Sequence, residues 1–180
     1  MDRTNFNKDV KMQYACANDI LRPAMSCIYF KDGYAYASDA HILVKNSLQE
    51  CSTISAAQIE LLNDKYLPAK SYANILKYDD IIISEDGIEA IKDGNKVFFY
   101  FAKDLKFPDA EKVIQESLNK PKVQSFEVRL NIDMLINLNK ALCGAEKCKL
   151  QFTGEGSAVI MQSMEQSSVG IIMPIIINND

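Results

Sequence analysis

Three times along the 180-residue chain, the spacing of apolar positions passes from a helical period to the strict alternation of strands. The first passage opens with "KDVKMQYACA" (8–17), where Val10 and Tyr14 share one side of a short helix and Lys8 and Lys11 the other. Pro23 ends that pattern. The chain then reads "CIYF", a "KDG" turn in which Gly33 can supply positive φ, "YAYAS" and "HILVK", which predicts a small antiparallel sheet.

The second passage begins at "PAKSYANILKY" (68–78), with a proline suited to the first helical turn. Tyr72, Ile75 and Leu76 fall on one helical face, with Lys70, Asn74 and Lys77 opposite. Three strands follow, "DIIIS", "IEAIK" and "KVFFYFA", joined by the hairpin signals "EDG" and "DGN". The third passage starts with the alternating strand "VQSFEVRL" and continues into the helix "NIDMLINLNKALCG". There Asn131 is placed to cap, Ile132, Leu135, Leu138 and Leu142 form the apolar stripe, and Gly144 is placed to end the helix. The strands "CKLQFTG", "SAVIMQS" and "VGIIMPIII" complete it.

Residues 104–122 are polar, contain two prolines and read as a crossing segment between two lobes. A helix followed by a meander buries only one side of its sheet. Three such units should therefore join edges into longer sheets with helices on one face, an α+β fold. The expected domains are 1–120, holding two helix-meander units, and 121–180, a half domain holding one.

Composition narrows the functional classes. The chain is 48% hydrophobic and 24% charged, enough for a substantial core, and its net charge of -4 argues against coating nucleic acid through bulk charge. A local basic face inside an acidic shell stays open. The five cysteines are an odd number without CxxC spacing, several in apolar surroundings such as "YACA" and "MSCIYF", and they read as buried free thiols in a reducing cytosol. No apolar stretch approaches the roughly 18 residues of a membrane span, and the N-terminal residues have no apolar signal core. A cytoplasmic protein without membrane contact is expected.

The single histidine, His41, follows Asp39 by two residues and Ser38 by three, which raises a nucleophile cluster. Neighbouring strand residues face opposite ways, so the pattern favours a histidine that forms hydrogen bonds near a strand turn. There is no GxSxG, phosphate-binding glycine loop, HExxH or calcium loop. Asp79, Asp80, Glu85 and Asp86 sit at predicted turns, poor positions for opposed acid and base carboxylates. No catalytic residue, metal site or cofactor is expected, and hence no enzyme.

The lysines carry more. Lys8 and Lys11, Lys70 and Lys77, and Lys140 each lie opposite the apolar stripe of their own helix. If the helices line one side of a continuous sheet, these lysines form a sequence-neutral surface facing phosphates. An ordinary solvated helix face is the alternative.

Read with its flanks, "LRPAMSCIYFKDGYAYASDAHILVK" resembles the bacterial DNA polymerase III beta subunit, the replicative sliding clamp, in which "RPVLxGVxFE...LxxVATDGHRLA" opens the middle domain. "FPDAEKVI" (107–114) is similar to that family's "FPDYRRVI", "VGIIMPII" (169–176) to its closing "YVVMPMRL", and "RLNIDMLINLNKAL" to a segment of its final module. The resemblance covers residues 8–180 but matches the middle domain and only the last half of the final one. It implies a shortened clamp-like fold and a non-enzymatic accessory role in DNA replication. Polymerase or repair proteins carrying clamp-binding peptides, and duplex DNA contacted without sequence preference, would be the partners.

Carried over position by position, the resemblance implies a peptide pocket of Leu43, Pro108, Val113, Ile171 and Met173, all apolar as peptide anchoring requires. Lys8, Lys11, Lys70, Lys77 and Lys140 would then face DNA. Ala40 stands where the family has glycine, Ile42 where it has arginine, and Ala110 where "FPDY" has its aromatic residue. A ring of twelve helix-meander units would need four chains of three units, which implies a homo-oligomer if a ring closes. A clamp-derived interaction module without DNA contact is the other reading.

Overall fold

The computed structural model describes residues 3–19, 21–121, 128–154 and 156–175. The first unit opens with a single 3-10 turn, Met12–Ala15, where the sequence predicts a longer helix. Val10 is buried as expected, but Tyr14 is half exposed. Strands β1 (Cys27–Lys31), β2 (Tyr34–Ser38) and β3 (Ile42–Ser47) form the predicted meander. Asp32 and Gly33 both have positive φ, 49° and 79°, the mirror-image turn that suits the strands' twist.

Two elements without a strong periodic signal follow, helix α1 (Ala56–Leu61) and strand β4 (Lys65–Pro68), which pairs with β1 at the sheet edge. Helix α2 (Ala69–Ile75) then buries the predicted Tyr72, Ile75 and Leu76. Strands β5 (Asp80–Ile83), β6 (Gly87–Lys92) and β7 (Asn95–Tyr100) form a separate three-stranded sheet. Its β6–β7 hairpin turns on Asp93 and Gly94, again both with positive φ.

The predicted crossing segment contains a helix, α3 (Ala110–Leu118), which Asp109 caps by accepting a hydrogen bond from the Lys112 amide. The strand expected over 123–130 lies mostly outside the described residues. Helix α4 (Ile132–Ala141) carries the predicted Asn131 cap, whose side chain accepts from the amides of Asp133 and Met134. Its buried stripe is Leu138, Ala141 and Leu142, while Ile132, expected in that stripe, is 63% exposed. Strands β8 (Cys148–Gln151), β9 (Val159–Ser163) and β10 (Val169–Ile172) close the third unit.

The first and third units join edge to edge. β3 pairs with β10, giving a seven-stranded sheet of order β4-β1-β2-β3-β10-β9-β8. Because side chains alternate along a strand, this sheet has two apolar faces. Ile28, Phe30, Ala37, Ile42 and Val44 face the main core, which also takes in the 3-10 turn, α2 and α4. Tyr36, Leu43 and Ile171 face the other way, beneath Phe107 and α3. The helices of the three units thus share one face, and α3, which belongs to none of them, covers part of the opposite one.

α4 seats directly on β10. A Cβ added at Gly170 would lie 2.8 Å from Cδ1 of the fully buried Leu138, so glycine makes room for the helix there. The free-thiol expectation fails at two of the five cysteines. Cys51 and Cys143 form a disulfide, leaving Cys16, Cys27 and Cys148 as free cysteines. Among the described residues, no helix is long and apolar enough to cross a membrane.

Candidate partner-docking site and helix face

The chain corner "SDAH" is built from its own polar groups. Oδ1 of Asp39 accepts hydrogen bonds from the amides of His41 and Ile42, both at 2.8 Å. Oγ of Ser38 accepts from the Ala40 amide at 3.1 Å and donates to the Ile42 carbonyl at 2.8 Å. Ala40 has a φ of 78°. The serine and aspartate therefore shape a turn, and His41 is exposed at its rim.

From this corner β3 runs antiparallel to β10, with Leu43 opposite Ile171 and Lys45 opposite Val169. The ladder continues one step past β10, because the Met173 amide donates to the His41 carbonyl at 2.9 Å. Alternation puts Leu43, Ile171 and Met173 on the same side of the sheet. Leu43 and Ile171 are buried there with Tyr36, Phe107, Ala110, Ile114 and Ala158.

The five sequence-predicted pocket residues thus divide. Leu43 and Ile171 are a buried floor, while Pro108, Val113 (44% exposed) and Met173 (41% exposed) reach solvent. Pro108 precedes the Asp109 cap of α3 and Val113 lies on that helix, next to Ile114, the helix residue most deeply set in the cluster. Sequence reasoning did not assign Tyr36, Ala110, Ile114 or Ala158 to the site. Ala110 and Ile114, spaced by four, were a readable signal for the buried side of α3.

An ion pair ties α3 to the sheet beside this floor. Nζ of Lys45 lies 2.7 Å from Oε2 of Glu111 and 4.1 Å from the centre of the Tyr34 ring. The hydrogen bond from Lys45 holds the Glu111 carboxyl below the usual glutamate range, against a smaller opposing effect of burial. Burial, then the neighbouring Glu111, pushes the Tyr36 hydroxyl upward. Next to the ion pair lies a cleft of about 350 Å³ walled by Tyr29, Tyr34, Tyr36, Phe107 and Pro108. Tyr29 stacks between Tyr66 and Phe107, with ring centres at 4.7 and 5.3 Å.

The lysines lie on the other side of the molecule's main sheet. Lys8, Lys11 and Lys140 gather around the 3-10 turn. The Lys11 amide donates to the Lys140 carbonyl at 2.7 Å, Nζ of Lys11 donates to the Lys8 carbonyl, and Nζ of Lys140 lies 4.8 Å from the Tyr14 ring centre. Lys70 is exposed on the neighbouring α2 and Lys77 in the turn just after it, with Nζ of Lys77 bonded to Asn74. Lys8 is engaged by Asp79 at 3.1 Å. That hydrogen bond, with Arg3 and Lys92 nearby, holds the Asp79 carboxyl below its usual range. Among the described residues, no group of three or more histidine, cysteine, aspartate or glutamate side chains could hold a metal.

Edge-joined antiparallel meanders, helices gathered on one face and an apolar floor at the joint define the fold of a DNA sliding clamp. In particular, the chain has the fold of the bacterial DNA polymerase III beta subunit, over part of that subunit's length. The DNA polymerase sliding clamp of Bacillus subtilis superposes with a TM-score of 0.64 at 15% identity, over 95% of this chain and 62% of that one. The beta subunit of Thermotoga maritima gives 0.64 at 11% identity, over 98% and 65%. The Helicobacter pylori beta clamp, solved in complex with 3,4-difluorobenzamide, gives 0.64 at 12% identity, over 97% and 66%. The chain spans less than two thirds of the length of each of these three. No family model and no curated protein matches the sequence.

Proposed function

We propose that this protein is a clamp-like accessory factor of DNA replication, not an enzyme, and that it docks polymerase or repair proteins through short peptides at the β3–β10 joint. One observation carries the reading. On a sliding-clamp fold, the first and third units meet with Leu43 opposite Ile171, and Pro108, Val113 and Met173 are exposed. A peptide with leucine or phenylalanine anchors covers these three against a floor that is already dry, and Met173 adapts its shape to the anchor. The second surface, with Lys8, Lys11, Lys70, Lys77 and Lys140, contacts duplex DNA through phosphates and so without sequence preference.

Domains of 1–120 and 121–180, assembly into a homo-oligomer and a cytoplasmic location belong to the same proposal. A second reading, an interaction module without DNA contact, is favoured by the Asp79 partner of Lys8 and by the net charge of -4.

The test is a fluorescence titration with a peptide bearing glutamine and a leucine-phenylalanine pair. Binding to the wild type in the micromolar range, at least tenfold weaker in Met173→Lys, is the expected outcome. Because Met173 is 41% exposed, the variant should keep the wild-type unfolding midpoint. A wild-type protein that ignores the peptide removes the docking function.

A further inference from the structure

The Cys51–Cys143 disulfide joins residues 92 apart in sequence and links the loop after β3 to the end of α4, hence the first unit to the third. It lies at one end of the joint whose other end holds the docking floor. Ser168, which leads into β10, has its Oγ 3.9 Å from Sγ of Cys51. Beside it, the buried Asn46 donates to the Ala141 carbonyl at 2.9 Å and accepts from the Cys143 amide at 3.0 Å. Glu50 accepts from both the amide and the hydroxyl of Ser167 at 2.8 Å. Outside the strand ladder and the packing of α4 on β3 and β10, this end of the joint is held by one covalent bond and a few hydrogen bonds. Both cysteines are buried, Cys51 at 6% and Cys143 at 3% exposure, but Cys51 lines a surface cleft of about 390 Å³, beside Phe6 and Glu50.

We propose that this disulfide is a redox-operated clasp, opened at Cys51 by a low-molecular-weight thiol, whose state sets the tightness of the β3–β10 joint and thereby the affinity of the docking site. The last clause rests on the docking function proposed above. A reductant thiolate enters by the cleft and attacks Sγ of Cys51. The sulfur–sulfur bond breaks, and the Cys143 sulfur leaves as a thiolate and takes up a proton. A second thiolate attacks the mixed disulfide at the reductant's sulfur, freeing Cys51 as a thiol and the reductant as its own disulfide. Two thiols are oxidised and one disulfide is reduced. With the bond gone, the units are joined here by non-covalent contacts alone, and the strand seam opens more often.

Three measurements on the full chain test this. Alkylation under denaturing conditions, read by mass spectrometry, should label three cysteines before glutathione treatment and five after it. Five labelled cysteines in untreated protein refolded and aired at neutral pH would overturn the clasp. Amide exchange at Leu43 and Ile171, which face each other as a hydrogen-bonded pair across the joint, should speed up by about tenfold on reduction, and to the same degree in Cys143→Ser, with exchange in β6 unchanged. Equal exchange in the oxidised and reduced wild type would overturn the proposal even if Cys143→Ser failed to fold. Peptide affinity should fall by about fivefold on reduction, consistent with a looser floor. Peptide silence in both states, with the exchange difference present, would reject the docking function and leave the clasp standing.

Discussion

At the scale of single residues, the corner from Ser38 to Ile42 decides what His41 can do. Asp39 has its Oδ1 occupied by two amides, and the Ser38 hydroxyl is bonded to the Ala40 amide and the Ile42 carbonyl. Both are engaged in holding the chain in the turn that starts β3. The strained member is Ala40, whose left-handed backbone brings its Cβ close to the following carbonyl. Ala40→Gly should therefore raise stability by about 0.5–1 kcal/mol, the relief of that contact less the extra freedom glycine gives the unfolded chain. A urea unfolding curve with a higher midpoint and unchanged slope is the expected result. An unchanged or lower midpoint would mean that the corner is relaxed as it stands.

The same scale separates residues that can be tested for docking from those that cannot. Replacing Leu43 or Ile171 by alanine removes a buried side chain, at a cost of about 2–5 kcal/mol, so lost binding would say little about contact with a peptide. Pro108, Val113 and Met173 are the informative positions. Their apolar character was readable in the sequence, but their division into floor and rim was not. It depends on α3 lying over one face of the sheet, and no local pattern states which strand a helix covers.

At the scale of elements, the hairpins that turn on Asp32-Gly33 and Asp93-Gly94 were legible, because a two-residue turn with positive φ at both positions leaves few alternatives for the flanking strands. α1 gave no such signal, having six residues and none of them buried. α3 was read as a connector because its buried positions are Ala110, Ile114 and Ser117, one of them small and one polar, with charged residues between. The disulfide was illegible for a related reason. Only the folded chain brings Cys51 beside Cys143. The seating of α4 on β10 is equally a matter of tertiary contact, and it gives a sharp test. Gly170→Ala presses a methyl group into Leu138 and should cost about 1–3 kcal/mol. In a Leu138→Ala background the same change should cost clearly less, since the obstructing side chain is gone. Equal costs in both backgrounds, measured by urea unfolding, would show that the methyl group clashes with something else.

At the scale of the whole molecule, the basic face is thin for a protein of net charge -4. Lys8 is paired with Asp79, so at most Lys11, Lys70, Lys77 and Lys140 are free to displace counterions from a duplex. Four such contacts would give a slope of log affinity against log salt near about -3.6, and binding that is measurable at low salt but fades at physiological salt. Contacts that weak would suit the proposed role, because a tight grip on phosphates would hold the protein in place. The measurement is anisotropy of a labelled duplex across a salt series, with Lys70→Glu and Lys140→Glu lowering affinity to the same extent on unrelated sequences. A steeper slope would mean that residues beyond this face touch DNA. A well-folded protein that binds no duplex at low salt would leave the joint between β3 and β10 as its working surface, and would make it a clamp fold retained for docking alone.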